Sequence, residues 1–174
     1  MKFEKIFLDK AYLIELEENK DFRGSFTRHF CQKELKQAGL NFELCQSNIS
    51  KNLKKGTIRG MHYQKDPYSE IKIVSCLKGA IFDVIVDFRP NSSTYLKWFG
   101  VELTENNNKM LYIPEGFAHG FETLEDNSVV YYQMGNFYTP SFAGGLRFND
   151  PKLGIKWHTS SPIINERDAN YELL

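Results

Sequence analysis

Two short segments gather side chains that can move protons. Residues 56–64 read Gly-Thr-Ile-Arg-Gly-Met-His-Tyr-Gln, and residues 113–121 read Ile-Pro-Glu-Gly-Phe-Ala-His-Gly-Phe. Each sets one histidine, His62 or His119, among aromatics and glycines. Imidazole is the side chain whose ordinary titration lies nearest neutrality. Two of them facing one pocket suit general acid–base catalysis. Arg59, three residues before His62, adds a planar fork that matches phosphate or carboxylate oxygens, so the substrate is expected to be anionic. Arg59 and His62 have opposite parity, and a regular strand would aim them at opposite faces. A bulge or bend at Gly60 would bring both into one cavity. From this segment alone, a solvated arginine and a hydrogen-bonded core histidine account for the residues equally well.

The elements that must carry these side chains read as strands. Residues 11–16 form the first, followed by a charged turn over residues 18–21, and residues 25–30 alternate loosely. One short helix fits residues 32–38, with Gly39 suited to the left-handed position just past its end. From Phe42 onward strand follows strand: residues 70–77 and 80–88 joined by a tight turn at Lys78-Gly79, then 95–103, 109–113, 120–124 and 128–134. In residues 81–88, Phe82, Val84, Val86 and Phe88 share one face, and Ile81, Asp83, Ile85 and Asp87 the other. Asn106-Asn107-Asn108 and Glu125-Asp126-Asn127 are turn signals. Many short strands with little helix predict an all-β sandwich or barrel with a few short helices. The tail from residue 154 has few regular signals and is expected to be irregular or short helical. No repeat or linker divides the chain, so residues 1–174 read as a single domain, a size that buries a substantial core.

The bulk composition excludes several classes of partner. Lysine plus arginine and aspartate plus glutamate each number 22, giving zero formal net charge. Nucleic acid or an anionic membrane would call for a basic excess. No apolar run is long enough to span a bilayer, and the N-terminus lacks the apolar core of a signal peptide. The three cysteines, Cys31, Cys45 and Cys76, are odd in number and contain no Cys-x-x-Cys pair. They read as reduced thiols of a cytoplasmic protein.

Pro114, Gly116 and His119 have the Pro-x-Gly-x-x-His spacing that resembles the second motif of the cupin superfamily, which builds small jelly-roll barrels. Metal-binding cupins carry His-x-His and then a glutamate in the first motif. Here His62-Tyr63-Gln64 stands at that place, so two expected ligands are absent, and a metal needs at least three. No metal and no other cofactor is therefore expected. Taken together, residues 59–64 and 113–121 resemble the dTDP-4-dehydrorhamnose 3,5-epimerase family. The likeness continues in Asp21-Phe22-Arg23-Gly24, Gln46-Ser47-Asn48, Lys72, Phe82-Asp83-Val84, Asn149-Asp150-Pro151 and residues 154–157, and runs from about residue 21 to residue 168.

The resemblance implies a metal-free, cupin-type jelly-roll homodimer acting on a nucleotide-linked 4-keto-6-deoxyhexose. A ketone at C4 acidifies the hydrogens on C3 and C5, because the carbanion delocalises into an enolate. Inversion needs a base on one face, an acid on the other and positive charge at the ketone oxygen. The resemblance assigns the base to His62, its orienting carboxylate to Asp168, the opposing acid to Tyr132 and the enolate-stabilising cation to Lys72. Tyr131, adjacent to the acid, would point away and serve packing. Arg23 and Arg59 match positions that meet the diphosphate, and Gln46 and Asn48 match contacts to nucleotide or sugar. Tyr138 is a platform for the base, Arg167 stands where the family often has lysine, and His119 with Asp83 forms a second imidazole–carboxylate pair that positions substrate. Singly, each has an ordinary explanation: a solvated strand lysine, a core tyrosine, a surface carboxylate. Two departures fall on the binding side. Arg28 replaces an acidic contact, and Ser47 replaces a carboxylate, leaving open dTDP, CDP or GDP and one or two inverted carbons. A 3,4-ketoisomerase of the same fold and a non-catalytic sugar-nucleotide-binding cupin are the alternatives.

Overall fold

A computed structural model describes all 174 residues. Thirteen strands and two short helices follow one another along the chain. They are β1 (Lys2–Lys5), β2 (Tyr12–Glu15), β3 (Glu18–Asp21), β4 (Gly24–Thr27), α1 (Gln32–Gln37), β5 (Gln46–Asn52), β6 (Ile58–Gln64) and β7 (Lys72–Lys78). After these come β8 (Ala80–Asp87), β9 (Trp98–Thr104), β10 (Lys109–Ile113), β11 (Phe117–Thr123), β12 (Ser128–Met134), β13 (Ala143–Gly145) and α2 (Glu166–Ala169). Two antiparallel sheets face each other. One has the order β1-β2-β10-β7-β12-β5 and the other β13-β6-β11-β8-β9, with β3-β4 standing apart as a hairpin. This is the all-β, jelly-roll type sandwich expected. No helix is long and apolar enough to cross a membrane.

Alternation along the strands assigns each residue to a layer. Between the sheets, Val74, Cys76, Leu111 and Val130 of the first meet Ile81, Ile85, Phe117 and Phe121 of the second. The opposite parity of β8 turns outward, where Val84 and Val86 join Met61, Ala118 and Leu146 beneath the returning C-terminal chain. The outer face of the six-stranded sheet is covered by α1 and the segment after it, through Leu35, Leu40 and Phe42. Both faces of the central strands are thus buried, which their aromatic and β-branched content favours.

The sequence reading places a tight turn at Lys78-Gly79 and leaves the pairing of its two strands open. Both strands and the turn are present, but β7 pairs with β10 and β12, whereas β8 pairs with β11 and β9. The turn therefore carries the chain from one sheet to the other instead of closing a hairpin. Gly79 has φ 72°, and a side chain there would meet Ser128 Oγ at 2.7 Å. The glycine makes an inter-sheet corner where the chain crosses the core. Residues 18–21, read as a charged turn, are instead strand β3, with the turn confined to Phe22 and Arg23. Its face is exposed on both sides, so no apolar alternation marks it.

Candidate active site

Strand β6 departs from regularity where the sequence suggested. Against β11, His62 lies opposite His119 but Arg59 lies opposite Phe121, so three steps on β6 span two on its partner. The extra residue falls at the bulge containing Gly60, whose φ is 132°. A Cβ at Gly60 would sit 2.4 Å from the Gly120 Cα. The bulge and this close approach put Arg59 and His62, despite their parity, on the wall of one cavity of about 240 Å³ between the sheets.

His62 is one half of a dyad. Its Nε2 lies 2.8 Å from Asp168 Oδ1, with the imidazole about one-third exposed to the cavity and the carboxylate fully buried. Asp168 Oδ2 accepts the Gly60 N–H at 3.2 Å. Arg167 Nε donates to Oδ1 at 3.3 Å. Asp168 itself is set by α2, where the Asn165 side chain caps the helix by accepting the Asp168 N–H at 2.7 Å. Burial pushes the Asp168 carboxyl up, but the His62 bond and charge, with Gly60 and Arg167, outweigh it and hold it below its ordinary value. An ionised Asp168 fixes the Nε2–H tautomer, and no protein group bonds the other ring nitrogen.

The facing wall comes from the six-stranded sheet. Tyr132 on β12 and Lys72 on β7 both line the cavity. Tyr131, adjacent to Tyr132, packs outside against His29. Burial, with the negative charge of Asp83 added, raises the Tyr132 phenol far above its ordinary value, only partly offset by Arg59 and Ser50. It stays protonated at any physiological pH, the state a proton donor requires. Lys72 Nζ lies 3.0 Å from Glu70 Oε1 and donates to the His62 carbonyl at 3.2 Å. Imidazole and phenol therefore approach one space from opposing sheets.

A second imidazole–carboxylate pair lies deeper. His119 Nε2 is 2.7 Å from Asp83 Oδ1, and its ring meets Tyr132 edge-on at 5.9 Å. His119 reaches the cavity, but Asp83 is fully buried behind it and lines no part of the wall. Its place is that of a partner to His119, which alone of the two reaches the cavity.

Around the mouth the groups are cationic and aromatic. Asn52 Oδ1 accepts from Arg59 Nε at 2.7 Å, which leaves the terminal guanidinium nitrogens for an anion. Arg167, Asn48 and Tyr138 also line the opening. Gln46 does not reach the cavity; its Oε1 accepts the Tyr138 N–H at 3.0 Å and so holds the tyrosine's loop. Gln64 does the same from the other side, accepting the Thr139 N–H and donating to the Tyr68 and Phe137 carbonyls. The residue standing where a metal-binding relative would place a ligand is thus committed to backbone. No three His, Cys, Asp or Glu side chains converge at metal-ligating spacing.

Arg23 and Arg28 are elsewhere. Arg23 at the tip of the β3-β4 hairpin pairs with Asp21 at 2.6 Å, and Arg28 pairs with Glu34 at 2.7 Å. Neither reaches the cavity of its own chain. Among the lining residues that went unread in the sequence are Tyr171 and Glu70. Tyr171 lies edge-on to His62 with centroids 6.3 Å apart, against Gly145, where a Cβ would strike its ring. Glu70 lines the wall beside Lys72.

Known proteins are similar to this chain in sequence and fold. The family described as dTDP-4-dehydrorhamnose 3,5-epimerase matches residues 5–174. The chain is 42% identical to the dTDP-4-dehydrorhamnose 3,5-epimerase of Shigella flexneri over 151 residues, 86% of this chain and 83% of the other. It is 33% identical to a dTDP-4-dehydrorhamnose 3-epimerase of Streptomyces niveus, covering all of this chain and 84% of that one. Among solved structures, the dTDP-4-dehydrorhamnose 3,5-epimerase of Bacillus anthracis, with TDP and PPi bound, superimposes with a TM-score of 0.97 at 38% identity over 99% of both chains. With fold and sequence in agreement over nearly its whole length, the chain belongs to the dTDP-4-dehydrorhamnose 3,5-epimerase family.

Proposed function

We propose that this protein is an isomerase that epimerises a nucleotide-linked 4-keto-6-deoxyhexose, dTDP-4-dehydro-6-deoxyglucose, at C3 and C5 on the way to a deoxysugar. The observation that carries the reading is the pairing of an Asp168-bound His62 on one sheet with a protonated Tyr132 on the other, both bordering one cavity.

In this reading His62 removes the hydrogen next to the carbonyl, and the electron pair of the broken C–H bond moves into the C4–O group. The enolate oxygen is met by an N–H of Lys72, whose charge lies where negative charge develops. Tyr132 delivers a proton to the opposite face of the same carbon, inverting it. The imidazolium, stabilised by Asp168, and the phenolate then exchange protons with solvent. No redox partner is needed, because the proton and the electron pair both return to carbon. Arg59 and Arg167 meet the diphosphate, and Tyr138 offers a face to the base.

Arg23 fits the reading through a homodimer. The β3-β4 hairpin is paired to neither sheet, and Phe22 and Phe26 on it are 98% and 72% exposed. Such a hairpin is an arm that a second copy can cover, placing Arg23 at the neighbour's cavity mouth.

The test is incubation with the dTDP-, CDP- and GDP-linked sugars in deuterated water, followed by NMR. Deuterium at C3 and C5 with inverted product is expected for the dTDP form, and label at C3 alone identifies a one-centre enzyme. A carbonyl moved to C3 means a ketoisomerase. No exchange with any form removes the proposal.

A further inference from the structure

Lys72 is accompanied by a carboxylate that the reaction above leaves unused. Glu70, two residues upstream, is 7% exposed and lines the cavity. Its Oε1 lies 3.0 Å from Lys72 Nζ, while its Oε2 is buried with no hydrogen-bond partner. Folding alone gives poor grounds for such a group. A buried ion pair contributes little net stability, and an orphaned carboxylate oxygen costs it.

The geometry suits a different task. An ammonium has three N–H bonds. Protein oxygens stand in two directions around Lys72, Glu70 Oε1 at 3.0 Å and the His62 carbonyl at 3.2 Å. The remaining N–H is left for a bound oxygen. The same ammonium ties β7 of one sheet to the backbone of the base on β6 of the other, so its orientation and that of His62 are set together. We propose that Glu70 is a positioning residue that acts through Lys72, aiming its free N–H at the substrate carbonyl and balancing its charge there. Enolate stabilisation at this end of the cavity then comes from a directed, charge-assisted hydrogen bond. This inference rests on the enolate reading given above.

The experiment is a double-mutant cycle on the rate of deuterium uptake at saturating dTDP-sugar, with KM measured alongside. Glu70→Ala lowers the saturating rate by about 10- to 100-fold, with KM held within about threefold. Glu70→Gln keeps the volume and one acceptor oxygen, so it retains the rate to within about fivefold. In a Lys72→Ala background, Glu70→Ala changes the rate by less than about twofold. Effects of Glu70→Ala and Lys72→Ala that multiply overturn the proposal, as does a raised KM with an unchanged rate, or a Gln variant as slow as the Ala variant. Those outcomes leave wild-type exchange, and hence the epimerase reading, intact. Wild-type protein that exchanges nothing overturns both.

Discussion

At the scale of single residues, His62 and Tyr132 do different halves of one job, and their loss should not look alike. His62→Ala removes the group that takes the hydrogen, so deuterium uptake falls by at least about 100-fold, to background. Tyr132→Phe keeps the base, the dyad with Asp168 and the ring's packing against His119 and Phe121. Hydrogen removal and return on the base's own face continue, while inversion drops by about 100-fold or more. NMR of the same sample reads both quantities, label incorporated and product inverted. Equal loss of both in Tyr132→Phe would deny the phenol its role as donor to the opposite face. The sequence made His62, Lys72 and Tyr132 visible because they lie in segments with a strong family pattern. Glu70 and Tyr171 carried no such mark. Glu70 reads as one more charge before a strand, and Tyr171 lies in a tail without periodicity. Only the fold brings the tail across β6 and β13 to set Tyr171 against His62, and places Glu70 beside Lys72 on the cavity wall.

At the scale of elements, β6 is the piece on which the site depends. The parity conflict between Arg59 and His62 could be seen in the sequence, and so could its remedy, because a glycine stood between them. What the sequence did not reveal is how tightly that glycine is held. Gly60 has φ 132°, and an added Cβ would fall 2.4 Å from backbone at Gly120. Gly60→Ala therefore combines an unfavourable backbone conformation with overpacking, at a cost of about 2–4 kcal/mol in urea unfolding. Because the bulge also carries the N–H that Asp168 accepts, exchange should fall even at temperatures where the variant is folded. A Gly60→Ala protein with wild-type stability and rate would mean that β6 relaxes freely, and that the bulge does not set the site. The corner at Gly79 illustrates the limit of local reading. Apolar alternation and a turn glycine locate two strands, but which sheet each one joins depends on residues far away in the chain, such as Ser128 packed on Gly79.

At the scale of the whole molecule, acid sensitivity and assembly are the properties to be tested. Asp87 ends β8 beside Arg89, Ser92 and Thr94. Burial alone would raise its carboxyl, yet those bonds prevail and lower it from 3.8 to about 2. A depressed folded value stabilises the fold above the unfolded value and is lost as pH falls through the folded one. The wild type should therefore lose stability between about pH 4 and pH 2, and Asp87→Asn should start less stable but show a flatter acid limb in denaturant titrations. Parallel limbs in the two proteins would remove Asp87 from the acid response.

Assembly calls for a test that separates an arm reaching a neighbour from one folded on its own chain. Arg23 lies on a hairpin detached from both sheets and outside its own cavity. If that hairpin serves a second copy, Arg23→Ala and His62→Ala damage different chains of the same cavity. Each variant alone then forms impaired homodimers, one weak in nucleotide binding and the other without its base. Unfolded together and refolded at equal concentration, they form heterodimers in about half of the population. In each heterodimer one cavity has both defects, while the other combines an intact His62 with an intact Arg23 from the partner chain. About a quarter of wild-type activity should return, since one cavity in two is whole in half of the dimers. If Arg23 acted within its own chain, no cavity in the mixture would hold both groups, and mixing would restore nothing.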